Sequence, residues 1–122
     1  MHNELNALVK LMKALSDPGR VTMLKLLETR PLCVCELQQC LKLAQPTISK
    51  HLRVLEEAQL VVRNRDGQWV EYSLNNAPDT PHATFMLNAL HDWLKQDDKL
   101  TALKTELKDI DRRNICARTE EQ

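Results

Sequence analysis

The chain has 122 residues, of which 43% are hydrophobic and 28% charged, and its 17 basic side chains balance 17 acidic ones, as in one small globular domain. Two glycines, Gly19 and Gly67, are too few for the glycine-rich loops that hold nucleotide phosphates, so nucleotide-driven chemistry is not expected. No apolar run approaches the roughly 20 residues that cross a bilayer, and no N-terminal stretch has the pattern of a secretion signal. We therefore expect a cytoplasmic protein without a membrane partner.

The first half of the chain predicts four short helices. Apolar residues recur every three or four positions over residues 5–15, which is the helical period. Asp17 before Pro18 combines an N-cap with a proline at the first helical position, so a second helix begins there. Residues 36–43 predict a short third helix, and Pro46 marks the first turn of a fourth helix.

After these helices the pattern changes to that of β-strands. Residues 60–63 and 69–74 favour strands and flank Asp66-Gly67, the signal of a type I′ hairpin turn. The third and fourth helices are joined by only a few residues, which suits a helix-turn-helix, and a hairpin directly after it makes the unit winged. The sequence thus predicts a mainly α (α+β) fold, a winged helix-turn-helix with four helices, a hairpin and a fifth helix.

The C-terminal part of the chain predicts one long helix. Residues 75–81 are rich in Asn, Asp and Pro, which is typical of a linker. Apolar residues then continue at helical spacing over residues 81–111, and in the second half their spacing resembles a coiled-coil seam. The predicted organisation is a winged helix-turn-helix domain over residues 1–111 and a polar C-terminal tail over residues 112–122.

Positive charge is concentrated around the fourth helix and the hairpin, although the chain as a whole is neutral. Between residues 42 and 65, five basic side chains stand against two acidic ones. Together with polar side chains on the outer helix face, they can bond the phosphates and base edges of double-stranded DNA. The order of the elements favours DNA binding over a merely solvated face. The predicted DNA-binding residues are Gln45, Pro46, Thr47, Ser49, Lys50, His51, Arg53, Arg63 and Arg65.

Three segments carry a resemblance to a known family. They are CVCEL at residues 33–37, QPTISKHL at residues 45–52 and RDGQWVEYSL at residues 65–74. In this order they resemble the ArsR/SmtB family of metal-responsive repressors, in particular the arsenical-resistance repressors. The resemblance implies a homodimer that represses an arsenic-resistance operon and leaves operator DNA when As(III) or Sb(III) binds its thiolates. Ala44 departs from the serine N-cap of many relatives, so the fourth helix begins without its usual cap.

Four cysteines are candidates for that site, since cytosolic thiols are more often ligands, redox sensors or core residues than disulfides. Trivalent arsenic takes up to three thiolates. Cys33 and Cys35 can supply two of these thiolates if the chain there is extended, because side chains two residues apart in a helix point in different directions. The start of a helix also favours the thiolate form of a cysteine. The third-ligand position of the family is occupied by Gln38. Cys116, Cys40 or an exogenous thiol therefore completes the site, although burial in the core suits Cys40 as well.

The resemblance also implies that the first and last helices pair across a two-fold axis. Their apolar residues exceed what one small core can cover, and a dimer places two recognition helices about one DNA turn apart. The predicted dimerisation segments are residues 1–15 and 81–111. The predicted contact residues within them are Leu5, Leu8, Met12, Leu90, Trp93 and Leu94.

Other functions stay open at this point. A repressor of the same fold could sense thiophilic divalent ions such as cadmium or lead, or thiol oxidation. A constitutive interaction module could keep the fold and bind no metal. Neither a catalytic triad nor a pair of acids indicates an enzyme, and no cofactor is expected for folding, so As(III) or Sb(III) enters as the inducer.

Overall fold

The computed structural model describes residues 3–113 and 115, and within them the chain forms six helices and three strands. In chain order they are α1 (Glu4–Ala14), α2 (Pro18–Leu27), β1 (Leu32–Cys33), α3 (Val34–Leu41), α4 (Gln45–Glu57), β2 (Val61–Asp66), β3 (Trp69–Leu74), α5 (Pro81–Asp92) and α6 (Asp98–Leu107). The predicted mainly α fold with a winged helix-turn-helix is confirmed. In the same residues, no helix has both the length and the apolar character needed to cross a bilayer.

The helix-turn-helix consists of α3 and α4, with residues 42–44 between them. Lys42 ends α3 in the left-handed region, with φ at 58°, and its N–H donates to the carbonyl of Gln38 at 2.8 Å. The N-cap of α4 is Ala44, which offers no side-chain acceptor to the first turn. The buried residues of α4 are Ile48, Leu52 and Leu55. Because they recur at helical spacing, the polar face of α4 is turned outward.

The three strands form one antiparallel sheet in the order β1-β3-β2. The short strand β1, which the sequence did not indicate, pairs Cys33 with Glu71 of β3. In the hairpin, Asp66 of β2 faces Trp69 of β3 across a two-residue turn. Gly67 alone of the two turn residues has a positive φ, at 62°, which is the pattern of a type II′ turn. The predicted type I′ turn, which needs two positive φ angles, is therefore wrong.

The prediction of one long C-terminal helix is also wrong. Between α5 and α6 the chain leaves the helical path at Leu94, whose φ is 64°. The fully buried Lys25 of α2 donates from Nζ to the carbonyls of Leu90 at 2.5 Å and Trp93 at 2.8 Å. Asp97 then starts α6 as an N-cap, accepting a backbone N–H of the first turn at 3.0 Å. A buried cation thus satisfies the last carbonyls of α5, and a new cap begins another helix.

The apolar residues of α6 face the chain's own core, where the sequence predicted a seam for a second copy. Leu100 and Leu107 are buried, and Leu103 packs half-buried against the same core. Leu90 of α5, predicted as a dimerisation residue, is likewise buried in its own chain. The residues of α6 are buried because α6 lies against α2 and α3.

We predict that Ala44→Ser stabilises the protein. Ala44 has an extended backbone, with φ −67° and ψ 148°, from which a serine hydroxyl can accept the N–H of Thr47 in addition to the Ala44 carbonyl, which that N–H reaches at 3.0 Å. The gain should be about 1 kcal/mol in the free energy of unfolding, measured by urea denaturation. Ala44→Val adds no acceptor and serves as the control, and a serine variant no more stable than the wild type would contradict the prediction.

Candidate functional site

Two cysteine sulfur atoms meet where β1 passes into α3. Cys33 is the last residue of β1 and the N-cap of α3, with an extended backbone at φ −93° and ψ 168°. Cys35 lies in the first turn of α3, and the two Sγ atoms are 3.2 Å apart. Both residues are buried. The extended backbone at Cys33 is the condition under which the two side chains can reach one ion.

A buried carboxylate lies directly beside this pair. Oε1 of Glu36 accepts two hydrogen bonds from Cys33, one from its backbone N–H at 2.9 Å and one from its Sγ at 3.2 Å. Oε2 accepts from Nη1 of Arg30 at 2.7 Å, and Nη2 of Arg112 lies 3.2 Å from Oε1. The carboxylate is 1% exposed, so these groups replace water around its charge.

Burial and hydrogen bonding shift the pKa values of this site in opposite directions. Burial raises the pKa of the Cys33 thiol to about 12, and the neighbouring carboxylate adds to the rise. For Glu36, burial alone would raise the pKa, but hydrogen bonds from Cys33 and Arg30 outweigh it and hold the pKa below its usual range. At neutral pH, Cys33 is therefore a thiol beside a carboxylate. For Cys33, burial thus raises the pKa, opposite to the lowering expected at a helix start.

Three side chains that the sequence did not indicate close the site. Trp69 of β3 and Ile115 pack against the cysteine pair. Arg112 donates from Nη1 to Glu71 of β3 at 3.0 Å, although 41 residues separate the two in sequence. A polar tail carries no local pattern that would mark one of its arginines, so only the fold reveals this contact.

Cys40, predicted as a possible third ligand, lies in a different part of the core from the cysteine pair. Its sulfur donates to the carbonyl of Leu103 at 3.6 Å and lies in the main core, whereas Cys33 and Cys35 form a separate buried cluster. Over residues 3–113 and 115, no three His, Cys, Asp or Glu side chains are grouped so that they could hold a metal ion. Cys116, the other predicted ligand, lies outside the described residues.

The outer face of α4 presents most of the predicted DNA-binding residues. Those exposed are Gln45, Pro46, Thr47, Lys50 and Arg53, and Ser49 is half-buried. His51 differs, because its Nδ1 lies 3.3 Å from Nη1 of Arg20 and its Nε2 lies 3.7 Å from Asp17 at the start of α2. His51 therefore faces α2 and not the outer face from which DNA contacts were predicted.

The hairpin adds two more basic side chains beside this face. Arg63 and Arg65 are exposed on β2, and because they are two apart in a strand they share one side of the hairpin. Nε of Arg63 lies 4.0 Å from the Glu56 carboxylate of α4, which places the two elements next to each other. The predicted basic residues of helix and hairpin are thus neighbours in space.

A group of large apolar side chains is exposed on α1, on α5 and just after α5. Its members are Leu5, Val9, Met12, Phe85, Trp93 and Leu94. Four of the predicted dimerisation residues are among them, Leu8 is half-buried, and Val9 and Phe85 were not predicted. Phe85 is 69% exposed, which is unusual for an aromatic ring and typical of a protein–protein contact.

Comparison with known proteins gives consistent matches. Residues 17–62 match the family described as bacterial regulatory protein, arsR family. The arsenic resistance transcriptional regulator ArsR1 of Pseudomonas putida is 40% identical over 91 residues, covering 70% of this chain and 70% of that protein. The arsenical resistance operon repressor of Escherichia coli is 34% identical over 116 residues, covering 89% of this chain and 95% of that protein. Among solved structures, reduced HlyU from Vibrio cholerae has a TM-score of 0.61 and 30% identity, covering 75% of this chain and 93% of that chain.

Proposed function

The chain belongs to the ArsR family of bacterial transcriptional repressors, and on that premise we propose that it is a homodimer that releases operator DNA when As(III) or Sb(III) binds its cysteines. The observation that carries the proposal is the pair of sulfur atoms, 3.2 Å apart, at the start of α3. Relatives named for arsenic resistance support a metalloid inducer. Because a bacterial protein that binds operator DNA acts in the cytoplasm, the proposed location is cytoplasmic.

The distance between the sulfur atoms suits a pyramidal ion. With metal–thiolate bonds of about 2.3 Å, a separation of 3.2 Å subtends an angle of roughly 90° at the ion. A tetrahedral ion needs a wider angle, whereas a trivalent ion with a lone pair has narrower ones. Cys35 is disulfide-bonded in the structure, so it becomes a ligand only after reduction. With the backbone kept as it is, the reduced pair of Cys33 and Cys35 would then bind As(III) or Sb(III) with little movement.

The raised pKa of Cys33 also favours arsenous acid over a divalent cation. In the reaction of As(OH)₃ with two thiols, two As–O bonds are replaced by two As–S bonds, and each thiol proton leaves with hydroxide as water. A divalent cation must instead displace the proton into solution. Because burial raises the pKa of Cys33 to about 12, that release is costly at neutral pH. This difference supports a metalloid inducer over cadmium or lead.

For the third ligand we favour Cys116. Ile115, the residue before it in the sequence, packs against the cluster of Cys33 and Cys35. Cys40 lies in a different part of the core. An exogenous thiol is the remaining source of a third sulfur.

DNA binding is assigned to α4 and the hairpin, and dimerisation to the apolar faces of α1 and α5. The exposed Lys50 and Arg53 of α4 and Arg63 and Arg65 of β2 lie on neighbouring elements, as phosphate contacts require. The exposed Phe85 and its apolar neighbours would be covered in a dimer. A ligand that reshapes the start of α3 can release DNA only if the two states of the protein bind that ligand differently.

We predict that Cys33→Ser and Cys35→Ser each weaken arsenite binding by about tenfold or more, because each removes one sulfur ligand. Cys40→Ser is the matched control, since its sulfur bonds Leu103 away from the pair and its loss should leave the affinity nearly unchanged. Cys116→Ser tests the third ligand. The measurement is calorimetric titration with sodium arsenite in a phosphine reductant, and unchanged affinity in Cys33→Ser would refute the proposed sensor.

We predict that the affinity for a divalent ion depends on pH, whereas the affinity for arsenous acid does not. Since the pKa of Cys33 lies at about 12, the thiol is protonated throughout pH 6–8, and a divalent cation must displace at least one proton. The affinity for Cd²⁺ should then fall by about tenfold or more for each unit by which pH is lowered. The affinity for arsenous acid should stay nearly constant, because its reaction yields water. Parallel titrations at three pH values test this, and equal slopes would contradict it.

We predict that Lys50→Ala and Arg53→Ala each weaken binding to DNA of any sequence, as expected for phosphate contacts. Each should also reduce, by about 1, the slope of the logarithm of the affinity against the logarithm of the salt concentration. The probe is a duplex that the wild-type protein selects from a randomised pool. Lys99→Ala, an equally exposed lysine on α6, is the control and should bind as the wild type does. Equal losses in all three variants would show that α4 is not the DNA-binding helix.

A further inference from the structure

Arg112 joins the cysteine pair to the hairpin through two carboxylates. Its Nη2 lies 3.2 Å from Oε1 of Glu36, the oxygen that also accepts from the sulfur of Cys33. Its Nη1 donates to Glu71 of β3 at 3.0 Å and lies 4.0 Å from Asp66 at the end of β2. Because a guanidinium is a rigid planar fork, it holds the carboxylates of Glu36 and Glu71 in a fixed relation.

The main chain makes a second connection at the same place. Cys33 is the residue that pairs with Glu71 between β1 and β3, and on the other side of β3 Glu71 pairs with Asn64 of β2. Asn64 stands between Arg63 and Arg65, both exposed. A displacement of Glu71 therefore reaches the part of the hairpin that carries the two predicted DNA-binding arginines.

We propose that the contacts from Glu36 through Arg112 to Glu71 transmit the occupancy of the cysteine pair to the hairpin, and that Arg112 is the positioning residue of this route. The inference rests on the proposed function and adds to it the means by which a site on α3 alters a distant DNA contact. Arg112 acts through the two carboxylates. Arg112 does not bind the ion. It reaches the hairpin only by its contact with Glu71, which lies on β3.

The chemistry of ligand binding supplies the change that this route carries. When arsenous acid reacts at Cys33, an As–O bond breaks, an As–S bond forms, the thiol proton leaves with hydroxide as water, and no electrons are transferred. Oε1 of Glu36 then loses the S–H donor that lay 3.2 Å away. Its remaining partners are the N–H of Cys33, which donates to it, and the guanidinium of Arg112, with which it forms an ion pair. The carboxylate pairs more closely with Arg112, which is drawn away from Glu71.

The test compares the factor by which saturating sodium arsenite weakens DNA binding in the wild type and in variants of the full chain. Arg112→Gln removes the bridge. Glu71→Val removes the hydrogen bond at its hairpin end, while the contact between Glu36 and Arg112 and the longer ion pair with Asp66, at 4.0 Å, stay. Arg112→Lys keeps the charge and should restore part of the coupling. Arg113→Gln is the matched control, since that side chain is 80% exposed and pairs with Asp111. Arsenite affinity is measured separately in the absence of DNA.

We expect Arg112→Gln and Glu71→Val to reduce the coupling factor by about fivefold or more, with Arg113→Gln unchanged and the arsenite affinity of DNA-free Glu71→Val near the wild-type value. If Arg112→Gln fails to fold, Glu71→Val decides alone. An unchanged factor in Glu71→Val, with normal DNA and arsenite binding, overturns the route and leaves the proposed function intact. A wild type that binds arsenite without weakening DNA binding overturns both.

Discussion

The buried carboxylate of Glu36 is the interaction on which the site depends. A charge that is 1% exposed is tolerated only when ionic and hydrogen-bonding partners replace the lost water. Arg30 meets this need from the segment after α2 and also donates to the carbonyls of Leu107 at 3.3 Å and Ile110 at 3.1 Å, near the end of α6. Arg112 meets it from the C-terminal segment. One carboxylate thus holds the start of α3, the end of α6 and the residues that cover the cysteines at a single point.

A second buried charge determines the course of the C-terminal helices. Lys25 is completely buried and bonds Glu28 of the same segment, at 2.9 Å, as well as the carbonyls at the end of α5. The C-terminal end of α2 and the residues just after it are therefore anchored, through Lys25 to α5 and through Arg30 to α6. Since α2 leads directly into β1 and the cysteine pair, the site is mechanically tied to the helix that bears the exposed Phe85.

Local sequence predicted the elements whose causes are local. Helical spacing and the cap at Asp17 placed α1 and α2, and the neighbouring cysteines indicated the sulfur pair. Two of the features that the sequence missed depend on distant partners. The break before α6 rests on a bond from Lys25 to a carbonyl 65 residues away, and the closure of the site rests on Arg112, 41 residues from Glu71. A strand of two residues is also too short to show alternation, so β1 was missed. The pKa of Cys33 followed its burial, which only the packed structure determines.

The same network explains why such a site suits a switch better than a structural ion. The S–H of Cys33 already has an acceptor in Glu36, so on the proposed function an incoming ion replaces an existing hydrogen bond and does not merely fill a gap. That replacement lowers the affinity for the ion, but it also makes the two states of the protein differ in energy. A ligand shifts an equilibrium only by its difference in affinity for the two states, and the same factor must then act on the ion when DNA is bound. On the proposed function, the hydrogen bond between the Cys33 sulfur and Glu36, present in one state and absent in the other, would contribute to that difference.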